Sequence, residues 1–186
     1  SCETLRAENP ELVYVSISGF GSEGPYRDKS AYDPVVQAYS GLAALQSDLE
    51  TNEPQLLYHT AADKITALTA SQAVTAALFA RGRGAGGQHL EISMLEAVVS
   101  FVWADAAGNE IMLDADGSQP SSFARGQKLW PTLDGWVIAA PLSDADFHGI
   151  CQALGVEGHD DPSVATLMAR RQNTAALMTM LERIRA

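Results

Sequence analysis

The sequence predicts an α/β layer with a largely parallel sheet, and three observations carry that expectation. The run Leu12-Val-Tyr-Val-Ser-Ile-Ser18 is rich in β-branched residues and lies between Asn9-Pro10 and Gly19-Phe20-Gly21, so it reads as a buried strand. His89–Ser93 alternates apolar and polar side chains and reads as another strand. Helical stretches separate and follow these strands, giving the order β-α-(β)-α-β-α, in which parallel strands are joined by helical crossovers.

The elements follow one another with clear punctuation. Gly19 to Ser30 is a loop, with Gly24-Pro25 as its turn signal. Asp33-Pro34 suits a helix start, since Asp caps and Pro fits the first helical position, and that helix is expected to reach Leu45. Gln55 to His59 is expected as a short strand. Asp63 to Arg81, rich in Ala and Leu, reads as a long helix buried on most sides, ended by the glycine-rich Arg81–Gly87 turn. Met94 to Ala107 is a further helix.

Composition shifts near Gly108 towards Asn, Asp, Gly, Ser, Gln and Pro. The expected organisation is therefore 1–107, a linker over 108–128, and a second region over 129–186. The second region reads as the start of a small α+β domain. It holds two short strands around the Asp134-Gly135 turn, a helix over Ala145–Leu154 with Ser143 and Asp146 as a capping box, and a helix from about Ser163 to Ala186 with room for a break near Gln172-Asn173.

Whole-chain properties exclude several functions. The 186 residues include 12 Lys or Arg against 23 Asp or Glu, a formal charge of −11. That balance opposes a nucleic-acid partner, because duplex binding relies on clustered cations that displace counterions. With 46% hydrophobic and 19% charged residues, disorder is not expected. Cys2 and Cys151 are too far apart in sequence for a disulfide scaffold, which points to a reduced, cytoplasmic protein. His59, His89, His148 and His159 form no metal-ligand spacing, so no metal is expected. The most apolar stretch, 65–80, is short and carries several Thr and Ser, so no membrane span is expected. The opening on Ser1 and the helical sequence at Arg185-Ala186 suggest an internal piece of a longer protein.

Two acidic positions could carry chemistry. Asp63 directly precedes a long helix; one reading makes it the N-cap, another an ionised carboxylate held at a helix N-terminus and able to attack an activated acyl group. The residues by themselves fit both. Tyr32-Asp33 likewise reads as an anchoring aromatic with a cap, or as a phenol able to donate to a developing oxyanion. Gly19-Phe20-Gly21 follows a strand as a dinucleotide loop would, but Pro25 prevents the helix that such a loop opens, which argues against a nicotinamide cofactor.

Several segments, in order and at matching spacing, resemble the family III CoA-transferases. They are Asn9 to Pro25, Tyr32-Asp-Pro-Val-Val-Gln-Ala38, Ala62-Asp63, Gly87 to Ala97, and Trp130 to Ile138. The resemblance implies a Rossmann-like large domain joined by a linker to a small domain, with two chains interlocked as a homodimer. It implies an acyl-CoA:carboxylate CoA-transferase acting on an acyl-CoA and a small carboxylic acid, with Asp63 as nucleophile and Tyr32 beside it. Coenzyme A is expected against Gly19, Phe20, Gly21 and Tyr32. The chain departs from the family pattern at Ala67, where many members have Gly, and at Gly126-Gln127, where some have a fuller glycine run.

Two rival readings stand beside this one. An α-methylacyl-CoA racemase uses a His-Asp pair to move an α-proton, but Tyr32 occupies the place of that His, and a phenol titrates far above neutrality. Alternatively, the chain is a non-catalytic remnant or assembly module whose open faces associate with a partner.

Overall fold

Ser18 and Ser93 close a parallel pair of strands, β1 (Tyr14–Ser18) and β2 (His89–Ser93), with Tyr14 opposite His89 at the other end. The computed structural model describes residues 1–48, 51–107, 129–138, 143–173 and 175–177. They belong to two compact units, Ser1–Arg125 and Gly126–Ala186. The expected linker over 108–128 lies outside the described residues, as do Gly126 and Gln127.

In the first unit, helix α1 (Cys2–Glu8) precedes β1 and is capped by the Ser1 hydroxyl, which accepts the Thr4 N–H at 3.3 Å. This helix was not among the elements expected from the sequence. The helix expected over 33–45 is in fact two, α2 (Asp33–Tyr39) and α3 (Leu42–Leu45). The break falls at Ser40-Gly41, where Gly41 takes φ 81°, a left-handed conformation open to glycine. The Ser40 hydroxyl also donates to the Gln37 carbonyl at 3.2 Å, a local bond that competes with continued helix.

No strand forms over 55–59. The backbone there bonds instead to the preceding helices: the Gln55 N–H donates to the Ala43 carbonyl at 3.1 Å, and the Leu57 N–H to Gln37 Oε1 at 2.9 Å. Helix α4 (Ala61–Ala80) follows, then a wider turn over Arg81–Ala85, β2, and α5 (Met94–Ala106), whose cap is Ser93. Among the described residues, β1 and β2 are the strands of this unit's sheet.

The core of the unit is Val36 from α2, Leu42 from α3, Ala62 from α4, and Val98 and Val102 from α5. Val36 and Val98 are fully buried, and each such burial contributes about 1.5–3 kcal/mol. Helix α4 departs from expectation. Only Ala62, Thr66 and Ala77 are buried along it, while Leu68 is 67% and Phe79 68% exposed. Its small residues meet α2 and α5 on one side, and nothing among the described residues covers the other.

In the second unit, β3 (Leu129–Pro131) pairs antiparallel with β4 (Trp136–Ile138) across the expected Asp134-Gly135 turn, where the Thr132 N–H donates to the Gly135 carbonyl at 2.8 Å. Helix α6 (Asp144–Ala153) carries the expected Ser143–Asp146 capping box. The next helix, α7 (Leu167–Gln172), begins after the Thr166 cap rather than at Ser163. The reason is local: Asp161 Oδ1 accepts both the Ser163 N–H at 2.8 Å and its hydroxyl at 2.7 Å, which holds a turn there. Phe147, Cys151, Val156 and Val164 form this unit's core. Arg170 is buried among them, donating to Asp144 Oδ1 at 2.7 Å and to the Val164 and Ala165 carbonyls at 3.0 Å.

Candidate functional site

The N-terminus of α4 is not capped from its own sequence. Thr60 occupies the cap position and makes no side-chain cap bond, and Asp63 is the third helical residue rather than the cap. The duty falls to Asp33, the first residue of α2, whose Oδ2 accepts the Asp63 N–H at 3.0 Å. The cap reading of Asp63 is thus set aside, and the expectation that Asp33 caps its own helix is corrected: Asp33 caps α4. Their positions explain this. Ala62 is buried against Val36, which brings the first turn of α4 over the start of α2.

A buried carboxylate is tolerated only when its oxygens find donors. Asp33 is 6% exposed, and its other oxygen accepts the amide of Gln37, one turn along α2. The same Gln37 nitrogen reaches the His59 carbonyl at 3.2 Å and the Leu57 carbonyl at 3.4 Å. The segment that leads into α4 is therefore tied to α2 through the Gln37 side chain, at both Leu57 and His59.

The Asp63 carboxylate is left exposed and makes no hydrogen bond among the described residues. It sits within the first turn of a helix of 20 residues, where the unpaired N–H groups favour negative charge. Beside it, the Lys64 ammonium donates to the Thr60 hydroxyl at 2.6 Å. An ionised carboxylate with no capping duty can act as a nucleophile or base.

Tyr32 occupies the cap position of α2, and its carbonyl accepts the Val35 N–H at 2.9 Å and the Val36 N–H at 3.1 Å. Its side chain is 72% exposed, so it is no packing anchor, which corrects the structural reading. The phenol is open to a ligand as a donor.

The Gly19-Phe20-Gly21 loop leans on the same helix. A Cβ at Gly19 would collide with the Cβ of Ala31, the neighbour of Tyr32, so only glycine allows this approach. The Gly19 carbonyl accepts the Leu95 N–H at 3.0 Å, and the Gly21 N–H donates to the Ser18 hydroxyl at 3.0 Å. The Phe20 ring lies 5.5 Å from both Tyr26 and Tyr39, the last residue of α2. Gly19, Phe20, Tyr32 and Asp63 are therefore all referenced to α2.

Lys64 lies beside Asp63, and the Lys29 ammonium lies 4.0 Å over the Tyr26 ring, but two of the arginines are elsewhere. Arg81 and Arg83 follow the far end of α4, about 30 Å along a helix of that length. Arg81 donates to the Glu11 carbonyl at 3.3 Å, and Arg83 sits over the Phe79 ring. Arg27 pairs with Asp28 at 3.3 Å. Among the described residues there is no group of His, Cys, Asp and Glu side chains that could hold a metal, and no helix long and apolar enough to cross a membrane.

Sequence reasoning missed Gln37 altogether and misread Asp33. The available signal was the Asp33–Gln37 spacing of four residues on one helix, with Gln37 set among Val35, Val36 and Ala38 on an otherwise apolar stretch.

Comparison with known proteins places this geometry in context. The family described as CoA-transferase family III matches residues 1–186. A succinate–glutarate CoA-transferase of Agrobacterium fabrum is 34% identical over 175 residues, covering 90% of this chain and 42% of that protein. A succinyl-CoA–D-citramalate CoA-transferase of Chloroflexus aurantiacus is 29% identical over 180 residues, covering 94% of this chain and 44% of that protein. The crystal structure of a CAIB/BAIF family protein from Brucella suis superposes with a TM-score of 0.74 at 32% identity, covering 97% of this chain and 48% of that one. The chain thus spans less than half the length of these relatives.

Proposed function

Because the chain belongs to CoA-transferase family III, we propose that the protein carrying it moves coenzyme A from an acyl-CoA donor to a carboxylic acid, with Asp63 as the nucleophile. The observation that carries this reading is the division of labour at α4: Asp33 supplies the cap, and the Asp63 carboxylate stays exposed at a helix N-terminus. Tyr32, exposed at the start of α2, is the proposed oxyanion donor. Gly19, Phe20, Gly21 and Tyr32 are the proposed contacts to coenzyme A.

The proposed sequence of bonds is as follows. The Asp63 carboxylate attacks the thioester carbonyl; the C–S bond breaks and CoA leaves as thiolate, giving a mixed anhydride. The thiolate then attacks the Asp63 carbonyl of that anhydride, releasing the donor acid and leaving an aspartyl-CoA thioester. The acceptor carboxylate attacks this thioester, again expelling thiolate and forming a second anhydride. Attack of the thiolate on the acceptor acyl carbon yields the new acyl-CoA and restores the free carboxylate. Each step exchanges one leaving group for one nucleophile, and no proton needs to be stored between them. Water must be kept from the anhydride and the thioester, which calls for a shielded site.

The relatives' names suggest succinyl-CoA as donor and small dicarboxylic acids such as glutarate or D-citramalate as acceptors. The same reading carries residues 1–107 as part of a Rossmann-like large domain, 108–128 as a linker and 129–186 as the start of a small domain, in a cytoplasmic homodimer. The test uses the full-length protein. With succinyl-CoA and each acceptor in turn, Asp63→Ala should abolish transfer while circular dichroism and CoA affinity stay unchanged. Hydroxylamine added after succinyl-CoA should label Asp63. Undiminished turnover by Asp63→Ala would sink the proposal.

A further inference from the structure

Gln37 is 1% exposed, and every polar atom of its side chain is committed. Its oxygen accepts the Leu57 N–H at 2.9 Å. Its nitrogen faces Asp33 Oδ1 and the carbonyls of Leu57 and His59. That pattern allows only one orientation of the amide: the oxygen must face a donor, and the nitrogen three acceptors. Through Asp33 the network ends on the backbone of Asp63. One side chain thus joins α2, the segment entering α4, and the first turn of α4.

Packing alone does not call for this. Val36, Ala62 and Val98 already seal the contact between the helices, and an apolar residue at 37 would avoid burying an amide. What directional bonds add is a fixed position and orientation for the turn that carries Asp63. We infer that Gln37 and Asp33 are positioning residues for the nucleophile, setting where the Asp63 carboxylate meets the thioester. This rests on the nucleophilic reading of Asp63. A nucleophile displaced by about 1 Å can lose about 100-fold in rate, so the effect belongs in kcat.

The test uses the full-length protein with succinyl-CoA and glutarate. Gln37→Met keeps the side-chain length and removes the amide; its kcat should fall about 10- to 100-fold, with both KM values within about threefold of wild type. A role confined to stability would lower the melting temperature and leave kcat of the folded protein alone. Gln37→Glu supplies a second readout. Its carboxyl can donate to Asp33 when protonated, but when ionised it repels Asp33. Its kcat relative to wild type should therefore fall as pH rises through the carboxyl's titration and recover on acidification. The other titratable groups on the elements that meet here are Tyr32, Tyr39, Tyr58, His59, Asp63 and Lys64; they are common to both proteins and cancel in the ratio.

A Gln37→Met kcat within about twofold of wild type, or a pH-independent Gln37→Glu ratio, would overturn the inference. Should Gln37→Met fail to fold, the Gln37→Glu profile decides. Asp63→Asn separates this inference from its premise. If Asp63→Asn is inactive while Gln37→Met turns over normally, positioning alone is refuted. If Asp63→Asn turns over at the wild-type rate, nucleophile and positioning fall together.

Discussion

Asp33 holds the backbone of Asp63: its Oδ2 accepts the Asp63 N–H at 3.0 Å, with 30 positions of sequence between them. Two aspartates that would ordinarily compete for one task at a helix start have separate ones. The buried partner satisfies the helix, and the exposed partner keeps its charge free.

This division predicts opposite rankings for stability and activity. Asp33→Ala leaves the Asp63 N–H and part of the Gln37 amide without acceptors, and should destabilise the protein by about 1–3 kcal/mol. Asp63→Ala removes only a charge from the first turn of α4 and should cost less than about 1 kcal/mol. Urea denaturation of the two variants checks the order. A larger loss for Asp63→Ala would mean that Asp63 is the structural cap after all.

In the second unit, Arg170→Met should destabilise by about 2–3 kcal/mol. The guanidinium serves the Val164 and Ala165 carbonyls as well as Asp144, and it lies 4.2 Å over the Phe147 ring. Asp144 stays half exposed and also accepts the Leu167 N–H, so little of the loss should come from the ion pair itself. Adding salt should therefore leave the difference between wild type and variant nearly unchanged. A difference that vanishes at high salt would contradict this.

Burial pushes the Cys151 thiol up, and nearby Arg170 offsets only part of that. An unfolded chain would ionise this thiol near pH 8.5, whereas the folded chain holds it neutral to higher pH. The burial of the neutral thiol is thus fully favourable below about pH 8.5, and stability is lost as pH rises beyond it. Cys151→Ala should flatten this alkaline decline, read as the melting temperature across the range. Iodoacetamide at neutral pH should label the half-buried Cys2 well before Cys151. Equal labelling of both in the folded protein would refute the burial argument.

Local patterns foretold much of the fold and only part of the site. β1, β2 and α5 follow from β-branched runs, alternation and helical pattern in their own residues. Yet β1 is not the buried strand expected: none of its residues is buried and Ile17 is 53% exposed. The capping box at Ser143 and the Asp134-Gly135 turn are local in the same sense. The absent strand at 55–59 was not legible, since Leu57 is engaged by a glutamine 20 positions away rather than by a strand. Nor was the cap of α4, supplied from another helix. The open face of α4 escaped for a related reason: an uncharged helix signals that it is fit for burial, not what covers it. For Asp63, composition and spacing left both cap and nucleophile open; the family resemblance favoured the nucleophile, and that Asp63 does not cap α4 depends on where Asp33 goes.

The parallel pairing of β1 with β2 also governs how this unit folds. Ser16 and His89, which meet at 2.8 Å, lie 73 positions apart in the chain. Closing so long a loop carries an entropic penalty that grows only with the logarithm of its length. Val36 and Val98, which meet in the helical core, are separated almost as widely, so sheet and core face nearly the same penalty. Both contacts are non-local, which sets this unit apart from helical bundles held by neighbouring segments and predicts slower folding than theirs.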